Sequence, residues 1–124
     1  MYGIIRMPLE LLQDGSQHWY NDAHQLHRDG DLPAIVLPCG TQIWYKNGRR
    51  HRDGGEPAAI WTNGDKFWQV DGQFHRDGGL PAVQLADGER QWYVNGRRHR
   101  VGGLPAVAYA DGHCEWWENG VRVW

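Results

Sequence analysis

Between Pro81 and Val94 the chain reads PAVQLADGERQWYV, two short runs of alternating apolar and polar side chains around an Asp-Gly pair. A period of two marks a half-buried strand, and Asp-Gly tolerates the positive φ of a tight hairpin turn. The pattern predicts two strands of about six residues joined at Asp87-Gly88. A two-residue type I′ turn there sets Leu85 against Arg90, Val83 against Trp92 and Pro81 against Val94 on one face. Ala86 with Glu89, Gln84 with Gln91 and Ala82 with Tyr93 fall on the other. Asn95-Gly96 then closes a second turn before the return segment RRHR.

The phrase recurs. His27, His51, His75 and His99 are each 24 residues apart, as are Trp44, Trp68, Trp92 and Trp116. Pro33, Pro57, Pro81 and Pro105 keep step, each followed by Ala. A degenerate copy opens the chain: Pro8 and Gly15 match Pro33 and Gly40, Trp19 stands for Trp44, and one extra residue in YNDAHQLH shifts the spacing. The last copy ends with Val123 and Trp124 where His and Arg would fall. Repeat arrays commonly have atypical ends, because terminal units lack a neighbour. The expected fold is all-β, a single domain over 1–124. It is an antiparallel meander of tandem 24-residue β-hairpin repeats, five units with the first and last degenerate.

Applied to every unit, the register gathers Ile35, Leu37, Trp61, Val83, Leu85, Val107 and Tyr109 with Trp19, Trp44, Trp68, Trp92 and Trp116 on the expected core side. The opposite face changes along the chain, with Val36, Ile43, Tyr45, Ile60 and Phe67 early but Gln84, Gln91 and Glu115 late. A scaffold does not need that gradient, so the early patch is expected to meet a partner. With the aromatic column Tyr20, Tyr45, Tyr93 and Trp117, it gives the candidate contacts Val36, Ile43, Tyr45, Ile60, Phe67, Tyr93 and Trp117.

Composition narrows the classes. A chain of 124 residues is one domain's worth, and its eight tryptophans and 17 glycines suit short strands closed by tight turns. The net charge of −2 and pI near 6.4 disfavour a dedicated nucleic-acid binder. Eleven of the 13 basic residues are Arg, in clusters that include Arg49, Arg50, Arg97 and Arg98. These could grip phosphate on a lipid headgroup or nucleic acid. The competing reading pairs arginines with carboxylates on adjacent returns and lays them over tryptophan rings. No apolar run is long enough to span a membrane, and the opening MYGIIRMPLELLQDG lacks a signal-peptide core, so the expected location is cytoplasmic. Cys39 and Cys114 lie about three units, or roughly 30 Å, apart, beyond disulfide reach.

The stretches WYKNGRRHRDGGEPAAIWTNG and WYVNGRRHRVGGLPAVAYADG resemble the MORN repeat over essentially the whole chain. The HRDG-x-PA variant is similar to repeats in phage and large-virus proteins. MORN units usually run one residue shorter and place Gly after the His, where this chain has Arg28, Arg52, Arg76 and Arg100. The resemblance implies a tandem β-hairpin platform that binds protein or lipid headgroups without catalysis. In a phage setting it implies an inhibitor that occludes a host protein.

Catalytic readings fare poorly. HRD spells part of the kinase catalytic loop, yet no Asn follows at the spacing that loop requires and no nucleotide-binding Gly loop accompanies it. A network of stacked His, Arg and Asp joining neighbouring units is the simpler expectation. Equivalent histidines fall about 10 Å apart, too far to share a metal whose ligands each reach it at about 2.0–2.1 Å. His18, His24 and His27 lie in an irregular loop and form only a minor metal candidate. Ser16, the one serine, sits beside a turn; Cys114 aligns with the mid-scaffold strand position of Arg90, and Cys39 sits in a turn in place of Asp. No catalytic, metal or cofactor site is expected. The reading is a non-enzymatic platform for another protein, with a homodimer as a second arrangement. The alternatives are a headgroup or nucleic-acid binder through Arg49, Arg50, Arg97 and Arg98, or a subunit that self-assembles through open sheet edges.

Overall fold

The computed structural model describes residues 8–124. The chain is all-β, with no helix among the described residues. One ten-stranded antiparallel sheet runs through the hairpins Leu9–Leu11 with Gln17–Trp19, Ile35–Val36 with Gln42–Ile43, Ala59–Ile60 with Lys66–Phe67, Val83–Gln84 with Arg90–Gln91, and Val107–Ala108 with Cys114–Glu115. Each hairpin pairs with the next, as in a meander. Between them the chain leaves the sheet to form two-stranded ribbons: Tyr45–Lys46 with Arg49–Arg50, Gln69–Val70 with Gln73–Phe74, Tyr93–Val94 with Arg97–Arg98, and Trp117–Glu118 with Val121–Arg122.

The two kinds of turn are chemically distinct. In the ribbons, Asn47, Asp71, Asn95 and Asn119 take φ of 49–50° and the glycines after them φ of 80–83°, the type I′ pair expected of Asn-Gly and Asp-Gly. In the main-sheet hairpins only the glycine is left-handed, Gly88 at φ 102°. There the closing pair is Leu85 with Glu89, whose N···O distance is 2.9 Å, while Gly88 N–H donates to the Leu85 carbonyl at 3.0 Å. That is a three-residue loop with a glycine bulge. Asp87 stabilises it by accepting the Glu89 N–H at 2.9 Å, as Asp14, Asn63 and Asp111 do for the residue two beyond each.

The extra loop residue corrects the expected register by one. Val83 lies opposite Gln91 rather than Trp92, and Gln84 opposite Arg90. Strand residues before each turn keep their expected faces, and those after it flip. Ile35, Ile43, Ala59, Phe67, Val83, Gln91, Val107 and Glu115 therefore form one row across the sheet. The tryptophans turn to the other side, where Trp44, Trp68 and Trp92 are only 6, 6 and 8% exposed. Their backbone N–H groups bond the carbonyls of Ala58, Ala82 and Ala106 in the following hairpin at 2.7–2.8 Å. These alanines are fully enclosed, which leaves no room for a larger side chain.

The HRD letters assemble the frame on that side. Arg28, Arg52, Arg76 and Arg100 lie 3.7–3.9 Å above the rings of Trp19, Trp44, Trp68 and Trp92. Each donates Nη1 to the proline carbonyl five residues on, at 3.1–3.2 Å. The indoles of Trp44, Trp68, Trp92 and Trp116 donate to carbonyls 13 residues earlier, at 3.0–3.2 Å. His27, His51, His75 and His99 accept at Nδ1 the backbone N–H of Asn47, Asp71, Asn95 and Asn119 in the next ribbon, at 3.0–3.1 Å. The ring proton is then on Nε2, which in the first three donates to Asp29, Asp53 and Asp77 at 2.7–2.8 Å.

Candidate functional site

The register decides where the expected contacts lie. Ile43 is 5% exposed and joins Ile35 and Ala59 in the core, with Leu26, Leu37, Tyr45, Trp61 and Phe67 packed around them. Val36 and Ile60, both half-buried, belong to the opposite row with Gln42 and Lys66. Val36, Ile43, Tyr45, Ile60 and Phe67 therefore do not form one open patch: the single-face assignment is corrected by the three-residue turns. Tyr45, Tyr93 and Trp117 are half-buried on the ribbons.

Along the ribbon side the chemistry changes from apolar to polar. Phe67 tilts against Phe74 at 5.8 Å, and Phe74 against Tyr93 at 5.0 Å. Tyr93 Oη donates to Gln91 at 2.9 Å and accepts from Arg98 Nε at 3.1 Å. Glu115 accepts from Trp117 Nε1 and from Tyr109 Oη, both at 2.9 Å. Those two bonds, the indole's foremost, hold the Glu115 carboxyl below the usual range, and the shared proton raises Tyr109. Where Glu115 stands in its hairpin, Phe67 stands in another, and the Trp61 Nε1 and Gln69 Oε1 flanking it are buried without a hydrogen-bond partner. Arg50 donates to Tyr45 Oη at 3.3 Å, and Arg98 lies 4.9 Å over Trp117. Of the four candidate arginines, only Arg49 and Arg97 stay exposed.

Beside the tryptophan frame, a row of grooves that the sequence did not suggest lies between successive Gly-Gly loops, walled in part by the ribbon residues Lys46, Val70 and Val94. One, of about 400 Å³, is lined by Asp29, Asp31, Trp44, Lys46, Arg52 and Asp53. The next, of about 260 Å³, includes Arg52, Glu56, Trp68, Val70, Arg76 and Leu80. A third, of about 200 Å³, includes Leu80, Trp92, Val94, His99, Arg100 and Val101. Charged at the start, the row becomes aliphatic. Val70, Leu80, Val94 and Val101 are 38, 49, 40 and 70% exposed, and Leu80 lines two of the grooves. The signal was present in the sequence as Val101 for Asp, and Val70 and Val94 for Lys46, at equivalent repeat positions.

Cys39 and Cys114 are both free thiols. Cys39 is exposed; the Thr41 hydroxyl and then the Thr62 hydroxyl, at 3.4 and 3.2 Å, lower its pKa to about 7. Among the described residues no group of three or more His, Cys, Asp or Glu could hold a metal ion, and no helix is long and apolar enough to cross a membrane. Compared with protein families, curated proteins and solved structures, the chain matches none.

Proposed function

We propose that the chain is a non-enzymatic platform that binds another protein along its grooved side. The observation that carries this reading is the run of exposed aliphatic side chains, Val70, Leu80, Val94 and Val101, in adjoining grooves of an otherwise hydrogen-bonded frame. They adjoin one another along the row, and contiguous exposed apolar side chains rimmed by polar ones mark interaction sites. The frame residues repeat from unit to unit, while the groove positions vary in part: Val70 and Val94 stand where other units have Lys46 and Glu118, and Val101 where others have Asp29, Asp53 and Asp77. Varying residues on an invariant frame are how a repeat encodes a partner. Inhibition by occlusion, the mode the MORN-like and phage-like resemblance suggests, needs nothing beyond such a surface.

Self-assembly end to end is disfavoured by the residues at the two ends. Continuing the strand order from the Cys114–Glu115 strand into the Leu9–Leu11 strand of a second copy would set Glu10 against Glu115. It would also put Leu9 where every internal junction has a fully enclosed alanine. Like charges directly opposite and a crowded junction both oppose it. An electrostatic binder retains Arg49 and Arg97, since Arg50 and Arg98 are engaged by Tyr45 and Tyr93.

The test is capture of the native partner by tagged variants whose melting is unchanged. Leu80→Asp combined with Val101→Asp should abolish capture, while Arg49→Asp with Arg97→Asp should leave it intact. The reverse pattern would replace this reading with the electrostatic one.

A further inference from the structure

The grooves share a frame but differ in what faces the arginine. In the first, Asp31 accepts from Arg52 Nε at 2.9 Å and Nη2 at 3.3 Å, a two-point carboxylate clasp, and this arginine holds the Asp31 carboxyl below its usual range. Asp31 reaches it from a left-handed backbone with φ 56°. At the equivalent position two repeats on stands Gly79, at φ 71°, so Arg100 receives no such carboxylate.

A second acceptor is missing from the same groove. His27, His51 and His75 each give their Nε2 proton to the aspartate two residues on, but His99 has Val101 there. Among the described residues no carboxylate forms an ion pair with Arg100 or His99. Burial against Trp92 pulls the Arg100 guanidinium below the usual arginine range, which an opposing carboxylate would offset. Val94 and Val101 stand beside these two donors where the first groove has Lys46 and Asp53, and the one carboxylate lining the groove, Asp77, is held by His75 at 2.8 Å.

We propose that this groove binds an aspartate or glutamate carboxylate set in an aliphatic stretch of a partner protein, clasped by Arg100 as Arg52 clasps Asp31. The proposal rests on the protein-binding reading and names the chemistry of that partner. Arg76, which lines both this groove and the adjoining one, offers a second fork about 10 Å away, one repeat along. Glu56 lies close enough to favour its charged form, so Arg100 is the principal site. Three residues of extended or polyproline-like chain span that distance at about 3.1–3.3 Å each.

The molecule supplies its own control. Gly79→Asp should place a built-in carboxylate on Arg100, in a backbone region Asp31 already adopts and with nothing within 4 Å of the added Cβ. Asp31→Gly should free Arg52. The probe is an array of twelve-residue peptides carrying Asp or Glu among Leu, Val and Pro at every spacing from two to four, each beside its Asn or Gln counterpart. Selected peptides are then measured by fluorescence anisotropy. The wild-type chain should prefer acidic members at least tenfold over their amides. Gly79→Asp should erase that preference with melting retained. Arg100→Gln should erase it too, at a lowered melting temperature because its stack on Trp92 and its bond to the Pro105 carbonyl are lost. Asp31→Gly should strengthen it. Equal binding of amide peptides, or a preference untouched by Gly79→Asp, overturns the proposal. So does an Arg100-dependent affinity for phosphatidylserine vesicles without any for peptides, which would make the fork a phosphate site. Partner capture that still fails with Leu80→Asp, beside peptides indifferent to Gly79→Asp, would leave the platform reading in place and remove this one.

Discussion

Trp92→Ala tests the frame where its interactions converge. The indole is 8% exposed, donates to the Gly79 carbonyl at 3.0 Å, and lies beneath the Arg100 guanidinium at 3.8 Å. Truncating a buried tryptophan costs about 3–5 kcal/mol through lost burial and the cavity left behind. The orphaned carbonyl adds about 1 kcal/mol. Losing the ring under Arg100 adds about 0.5–2 kcal/mol, and these contributions overlap because one ring makes all of them. The expected loss is about 4–5 kcal/mol, enough to bring a domain of ordinary stability close to unfolding. Trp116 makes the same indole bond, to Gly103 at 3.1 Å, but it is half-buried, and Trp124 holds the place where its arginine would be. Trp116→Ala should therefore cost about half as much. Gln84→Ala, on a half-buried main-sheet position, should stay within about 0.5 kcal/mol of wild type. Urea midpoints followed by circular dichroism rank the three, with the slope m checked because a linear array can unfold in segments. If Trp116→Ala proved as costly as Trp92→Ala, the stacked arginine and the enclosed junction would not be what stabilises the frame.

Three further outcomes follow from named contacts. Ile43→Asp buries an unpaired carboxylate beside Ile35 and Ala59 and should cost more than about 3 kcal/mol, whereas half-buried Ile60→Asp should cost about 1 kcal/mol; equal losses in thermal melts would restore the two-residue register. Gln69→Leu removes an unpartnered oxygen from a side chain only 7% exposed and should raise stability by about 1 kcal/mol in a urea titration; a lower midpoint would mean that the amide is held after all. Alkylation of Cys39 by iodoacetamide should rise with pH through a midpoint near 7, since its thiolate is favoured by the Thr41 and then the Thr62 hydroxyl; Thr62→Val should move that midpoint upward, and a midpoint unmoved would show the hydroxyls to be bystanders.

What the sequence made legible, and what it hid, turns on one residue per hairpin. The period, the all-β class and the ribbon turns were readable because Asn-Gly and Asp-Gly at 47, 71, 95 and 119 demand two left-handed residues, and the chain adopts them there. The main-sheet turns carry nearly the same letters but use them differently. Asp87 does not adopt positive φ and caps the residue two beyond, so its side chain, not its tolerance of positive φ, is what the turn selects. The clue was Cys39, which fills that position before Gly40 although cysteine has no such tolerance, and it too avoids positive φ. Read so, the loop gains one residue and every strand after it flips, which takes Ile43 into the core and the tryptophans to the grooved side. The grooves themselves were hidden for a different reason: a repeat draws the eye to what recurs, and the frame recurs. Asp31 in HRDGD, against Gly in HRDGG, is a single departure, as is Val101 in HRVGG. Only the geometry joins the two departures, because the aspartate lies on Arg52 and its absence lies on Arg100. In a chain whose constant residues are consumed by hydrogen bonds to one another, the proposed carboxylate site falls at Gly79 and Val101, two positions where one unit fails to copy another.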